Sequence, residues 1–120
     1  MAIQQLRGRQ GEDIAAQYLL ERGYRVLERN WRSHHREIDL IATRDGQVVF
    51  VEVKCRSPRS WTEPWEAVGK AKQRRLIAAA HAYVMQHHLD GEVRFDIISV
   101  ILGDPVQLDH MEYAFYPLLR

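Results

Sequence analysis

At 120 residues, 46% hydrophobic and 28% charged, the chain has the composition of one soluble globular domain, large enough to bury roughly two-thirds of its unfolded surface. No apolar run approaches a membrane span, the first residues lack a signal-peptide core, and the single cysteine, Cys55, excludes an internal disulfide and a cysteine-rich zinc site. A formal net charge of +1 excludes a uniformly basic nucleic-acid-binding surface, and the expected location is the reducing cytoplasm with no membrane partner.

In chain order, the first helix is expected from Gly11 to Arg22, where Ile14, Ala15, Tyr18 and Leu19 recur at helical spacing. Glu12 falls in its opening turns, and Gly23 stands where a left-handed cap belongs. Tyr24 to Trp31, Ile38 to Thr43 and Val48 to Cys55 read as three strands of an antiparallel meander, with Asn30 to Arg36 as a polar connection. A loop rich in breakers, with Ser57, Pro58, Ser60, Trp61 and Pro64, leads into a helix from about Glu66 to His88. Its buried stripe is Leu76, Ile77, Ala80, Tyr83 and Val84, and Asp90-Gly91 ends it. Val93 to Ile101 is a fourth, well-buried strand, and Val106 to Phe115 an edge strand after the Gly103-Asp104-Pro105 turn. A long helix between two buried strands is a crossover, so the third and fourth strands should be parallel and the connection right-handed. The expected fold is α/β, a mixed β-sheet flanked by helices in a single domain over residues 1–120.

Within that frame the hairpin from Glu37 to Lys54 concentrates the chemistry. If Asp45 and Gly46 are its two loop residues, counting outward from Arg44 and Gln47 sets Asp39 opposite Glu52. By the same count Glu37 faces Lys54. Directly opposed like charges destabilise a sheet unless something compensates, and a divalent cation would do so. Alternation puts Glu52 and Lys54 on one face with Val48 and Phe50, and Val49, Val51 and Val53 on the other. An ordinary ion pair on a wet sheet face is the competing reading, but Val48 to Val51 is apolar on both faces, as in a strand covered on both sides.

Such a group suits phosphodiester hydrolysis, which needs a nucleophilic water, charge neutralisation and support for the leaving oxygen. Magnesium takes a few protein oxygens and keeps its other positions for water and phosphate, so one Asp and one Glu are an adequate supply. Beside it, Lys54 could orient or deprotonate the water, its pKa lowered by a metal and raised by the carboxylates. From position 54 to 75 the basic residues Lys54, Arg56, Arg59, Lys70, Lys72, Arg74 and Arg75 are opposed only by Glu63 and Glu66. Either a solvated face or a phosphate-binding one fits that run. The pairs His34-His35 and His87-His88 lack the spacing that puts two ligands on one helical face, and His81 and His110 read as surface or packed residues. Trp61 and Trp65 either stack on unpaired bases or anchor the loop to the core.

Asp39 followed by Glu52-Val53-Lys54 resembles the PD-(D/E)xK signature of restriction-endonuclease-like nucleases. The wider set Gly11-Glu12, Gly23-Tyr24, Asn30, Glu37-Ile38-Asp39-Leu40-Ile41, Phe50-Val51-Glu52-Val53-Lys54, Lys72-Gln73 and Arg94-Phe95-Asp96 resembles the YraN family, small bacterial proteins distantly similar to archaeal Holliday-junction resolvases. That resemblance spans about residues 8–101 and implies a restriction-endonuclease-like sheet whose antiparallel hairpin carries the site. It makes Asp39, Glu52 and the backbone carbonyl of Val53 ligands of Mg2+ or Mn2+, and Lys54 the water-positioning base. Glu12 matches a helix glutamate that closes the site, with a charge favoured by a helix N-terminus as the alternative. Lys72 and Gln73 match crossover-helix positions that face substrate, with a solvated helix face as the alternative. Arg56 and Arg75 join them as expected nucleic-acid contacts. Where the family usually has Gly before Glu-Ile-Asp, this chain has Arg36 after His34 and His35.

Two functions are expected on these grounds. The first is metal-dependent hydrolysis of DNA, of branched or structured DNA by analogy with the resolvases, for which a symmetric homodimer would supply two sites. The second is a non-catalytic module on the same fold that binds nucleic acid or protein.

Overall fold

The computed structural model describes residues 3–58 and 68–117, with backbone alone for residues 3–7. Its elements are α1 (Ile3–Glu21), β1 (Arg25–Ser33), β2 (Arg36–Arg44), β3 (Gln47–Arg56), α2 (Lys70–Gln86), β4 (Glu92–Ile101) and β5 (Gln107–Phe115). The strands form one five-stranded sheet in chain order, β1-β2-β3-β4-β5. All neighbours are antiparallel except β3 and β4, which α2 connects and which run parallel from Gln47 opposite Glu92 to Arg56 opposite Ile101. The mixed α/β architecture, the meander and the parallel pair are those expected from the pattern of the chain.

Local chemistry fixes the central hairpin. Asp45 and Gly46 have φ of 52° and 78°, the two positive values that a two-residue turn of matching twist demands. The register then runs from Arg44 opposite Gln47 to Leu40 opposite Val51. Alternation divides β3 as expected. Val48 and Phe50 join Leu76, Ala79, Ala80 and Tyr83 of α2, while Val49 and Val51 join Ala15, Ala16 and Leu19 of α1. Both faces of β3 are therefore covered, and each fully buried Val or Ile contributes roughly 1.5–3 kcal/mol.

At α1 the close approach to β3 depends on Gly11, where a Cβ would stand 2.8 Å from Cys55 Cβ. Gly23, at φ 86°, closes the helix, with Gly23 N donating to the Leu20 carbonyl and Tyr24 N to that of Leu19.

Several boundaries differ from expectation. α1 begins at Ile3, so Glu12 lies mid-helix and the favourable field of a helix N-terminus does not account for it. The polar stretch before Gly11 has no apolar stripe to announce a helix. β1 and β2 run on to Ser33 and from Arg36, which leaves only His34-His35 as their loop, with His34 at φ 58°. α2 ends at Gln86 rather than at Asp90-Gly91, because His88 takes the left-handed conformation, at φ 52°, and Leu89 N bonds back to the Val84 carbonyl. Ala79 joins its buried stripe, while Ile77 and Val84 pack only partly. Arg59, Ser60, Trp61, Glu63, Pro64, Trp65 and Glu66 lie outside the described residues.

Candidate active site

The hairpin ladder stops where the acidic pair begins. Counting from Arg44 and Gln47, the next hydrogen-bonded pair after Leu40–Val51 would have Val53 N–H donating to the Ile38 carbonyl. Instead Val53 N donates to Asp39 Oδ2 at 2.8 Å. The carboxylate replaces a backbone carbonyl, and β2 parts from β3 while keeping β1 as far as Ser33–Arg36. Side-chain direction records the break. Ile38 packs in the core beneath α2 and Leu40 in the core beneath α1, although strict alternation would put both on one face. Asp39 is the residue between. In β1 the matching irregularity is Asn30, at φ 53°, between the Arg29–Leu40 and Trp31–Ile38 pairs. The kink carries Asn30 to α1, where its Nδ2 donates to Glu12 Oε1 at 3.0 Å.

The fork opens into a cleft of about 190 Å3 lined by His35, Arg36, Glu37, Asp39, Glu52, Lys72, Arg75 and Leu76. Glu52 is only 6% exposed. Burial, then a hydrogen bond with Glu52 and its charge, push the Asp39 carboxyl from its ordinary 3.8 up to about 8, against the lowering effects of the Val53 amide and Lys72. At neutral pH the Asp39 carboxyl therefore favours its protonated form. Lys72 Nζ lies 3.2 Å from Glu52 Oε2. Burial lowers the pKa of Lys72, but Glu52, a hydrogen bond with Lys54 and the charge of Asp39 outweigh it and the net shift is upward. Lys54 moves the other way, lowered first by burial and then by the charge and hydrogen bond of Lys72, against the raising fields of Glu52 and Asp39. The two lysines thus shift in opposite directions, Lys72 upward beside Glu52 and Lys54 downward beside Lys72.

The remaining predicted residues are distributed around this centre. Glu12 approaches from the α1 side, and burial first, with the charge of Asp39 adding to it, raises its pKa although Asn30 lowers it. Arg75 lines the cleft. Gln73 lines a neighbouring groove with Lys70 and Arg74, and its Nε2 donates to the Val68 carbonyl at 3.0 Å, tying it to the start of α2. Arg56 stands at the end of β3, opposite Ile101. Glu37 takes Arg32 as its ion-pair partner, 3.4 Å away, because the ladder that would have set it across from Lys54 has already ended.

Ser99 was not foreseen. It is the β4 partner of Lys54, only 4% exposed, and its hydroxyl finds no hydrogen-bond partner among the described residues. Side chains paired in register share a face, so an unsatisfied hydroxyl sits beside the lysine.

The donor set suits a small hard cation. Asp39 and Glu52 offer carboxylate oxygens, and Val53, whose N–H points to the β2 edge, turns its carbonyl toward that same edge beyond the last ladder pair. Among the described residues no three His, Cys, Asp or Glu side chains gather around one point, so the protein would supply two carboxylates and a carbonyl. A cation with strong demand for water and phosphate oxygens fits that supply better than one needing a protein cage. The upward shift of Asp39 beside Glu52 marks where positive charge is wanted.

Residues 11–100 match the model of the uncharacterised protein family UPF0102. The chain belongs to that family. It is 45% identical over 121 residues to a UPF0102 protein of Parabacteroides distasonis, covering 100% of both chains. A UPF0102 protein of Bacteroides thetaiotaomicron is 44% identical over 113 residues, 93% of each chain, and one of Myxococcus xanthus 44% identical over 110 residues, 90% of this chain and 87% of the other. The family membership drawn from the motifs is thereby borne out.

Arg94-Phe95-Asp96, part of the resemblance to the YraN family, lies away from the cleft. Asp96 is fully buried on the α1 face, opposite Val51. Arg94 donates to it from Nε at 2.9 Å and Nη2 at 2.8 Å, Tyr113 N donates at 3.2 Å, and His110 Nε2 lies 2.6 Å from Oδ2. Burial raises the Asp96 pKa, but the bonds from His110 and Arg94 outweigh it and hold the carboxyl below its ordinary range. Arg94 continues to the Tyr24 hydroxyl, and His110 Nδ1 to that of Tyr18 at 3.0 Å. This network ties β4, β5 and α1 together and gives His110 its packed role. Among the described residues no helix is long and apolar enough to cross a membrane.

Proposed function

We propose that the protein is a divalent-metal-dependent nuclease of restriction-endonuclease-like fold that hydrolyses phosphodiester bonds in DNA. The observation that carries this reading is the convergence of Asp39, which takes the Val53 amide at the fork between β2 and β3, with the buried Glu52 and the Lys72 ammonium 3.2 Å from it. Asp39, Glu52 and the Val53 carbonyl would hold Mg2+ or Mn2+, which when bound neutralises charge on the phosphoryl group and lowers the pKa of water. Lys54 positions the attacking water. Ser99 adds a hydroxyl beside that amine, and Glu12 closes the α1 side of the kink. Arg75 faces the phosphate backbone from the cleft wall, and Arg56 extends the cationic path along β3. Branched DNA is the structured substrate proposed, cut by a symmetric homodimer because two strands must be opened.

The test is incubation of purified protein with linear, single-stranded and four-way-junction DNA in magnesium or manganese. Wild type should cleave, and Asp39→Asn and Glu52→Gln should not. Cleavage that persists in both variants would assign the activity to a contaminant. One observation favours a second reading, a module that binds nucleic acid or protein without cutting: Lys72 already neutralises Glu52, so the pair can persist without a metal. That reading expects nucleic-acid binding that needs no divalent ion and survives Glu52→Gln.

A further inference from the structure

We propose that Lys72 is an exchangeable internal cation of this site: its ammonium holds Glu52 while the metal is absent and passes to a substrate phosphate when the metal takes the carboxylates. The inference rests on the nuclease reading and adds to it a residue with two successive partners.

Lys72 lies one helical turn before the buried Leu76, so helix geometry aims it inward, at the sheet. Its side chain is only 35% exposed, and its Nζ stands 3.2 Å from an oxygen of a carboxylate that is itself 7% exposed. A buried carboxylate without a positive partner is strongly destabilising, so the fold must supply a cation for Glu52 whenever the site holds no metal. Lys72 is the side chain in ion-pair contact with it among the described residues. The same contact blocks a divalent ion, because the ammonium occupies the oxygen a metal needs and repels the incoming charge. Once displaced, the ammonium has a flexible four-carbon stem with which to follow the cleft, whose wall it shares with Arg75. A phosphate entering that cleft is the partner of matching charge, and lysine meets phosphate as a point charge needing no fixed geometry. Arginine's rigid fork would suit the exchange less well.

The arrangement makes an unusual demand, since one substitution must push two binding constants in opposite directions. Manganese binding is measured by titration calorimetry on wild type, Lys72→Met, Lys72→Arg and Arg75→Met, and binding of a nicked duplex is measured in calcium, with folding checked by circular dichroism. Lys72→Met should bind manganese about tenfold more tightly than wild type while binding DNA more weakly, with a salt slope smaller by about one. Lys72→Arg keeps a cation on Glu52, should fold like wild type and should bind manganese no more tightly than wild type. Arg75→Met removes a cation from the same cleft that does not touch Glu52, and should move manganese affinity much less than Lys72→Met. Equal manganese binding by wild type and Lys72→Met would overturn the exchange while leaving the metal reading standing. An Arg75→Met gain as large as that of Lys72→Met would overturn it too, in favour of a general field. No manganese binding by any of the four proteins would overturn the metal reading and the exchange together.

Discussion

Replacing Asp39 by Asn isolates the proton at the centre of the site. The carboxamide keeps an oxygen for the Val53 amide and turns an N–H toward Glu52, so it imitates the protonated carboxyl without being able to ionise. In wild type the folded-state pKa, about 8, lies above the ordinary 3.8, so between those values the native protein binds more protons than the unfolded chain. Stability from this group is therefore fully present below the unfolded value, falls as pH rises, and levels off above the folded value. Each unit of pH within the window removes about 1.4 kcal/mol, to a total of at most about 6 kcal/mol. That is a large share of the roughly 5–15 kcal/mol that holds a domain together. Urea unfolding of wild type and Asp39→Asn should thus give curves that diverge from about pH 4 to about pH 8 and run parallel beyond, with the variant the more stable at the alkaline end. Manganese should restore wild type most strongly above about pH 8, where it no longer competes with the proton on Asp39, and should do little for the variant. Parallel stability curves across the whole range would mean that Asp39 ionises normally and would remove the physical ground for a cation at the fork.

Lys72→Ala combined with Arg75→Ala should weaken nucleic-acid binding across sequences and flatten its salt dependence with the fold intact, as read from binding curves at several salt concentrations. Ser99→Ala removes a buried hydroxyl without a described partner and should stabilise the protein by about 1 kcal/mol in urea melts, yet slow cleavage if the hydroxyl positions water or Lys54. A gain in stability with an unchanged cleavage rate would assign Ser99 no part in the site. Asp96→Ala should cost about 3–5 kcal/mol in urea at neutral pH, because Arg94, whose side chain is 2% exposed, loses its buried counter-charge. Because the Asp96 carboxyl is held below its ordinary 3.8, the stability it provides is present above that value and is lost as pH falls through the lower folded one, so acid unfolding should lose a step in the variant.

Much of this site is written in short-range terms. Asp45-Gly46 selects a turn through its two positive φ values, the turn sets the register, and the register brings Asp39 to Glu52. Alternation then assigns faces, and it does so correctly for Val48 to Val51. The count fails at the point where a side chain enters the ladder. Once Asp39 Oδ2 takes the Val53 amide, strand rules no longer govern the residues farther from the turn, and Glu37 turns to Arg32 rather than to Lys54. No periodic pattern encodes that substitution, because it exchanges one acceptor for another without changing the identity of the strand.

The Lys72–Glu52 pair was hidden for a different reason. It joins β3 to α2 across a crossover, so nothing in the spacing of residues 52 and 72 announces it. Yet a signal was present in α2 alone. Counting back from the buried Tyr83, Ala79, Ala80 and Leu76, the next position on the same stripe is Lys72. A lysine there must either withdraw its charge along the stem or find a carboxylate on the element beneath, and the strand facing α2 offers Glu52 among Val48 and Phe50. A cation on an apolar helical stripe and an anion on an apolar strand face are thus two halves of one observation. Each is costly alone, and their meeting at the mouth of a split hairpin places the site's internal counter-charge where an incoming metal and phosphate would have to displace it.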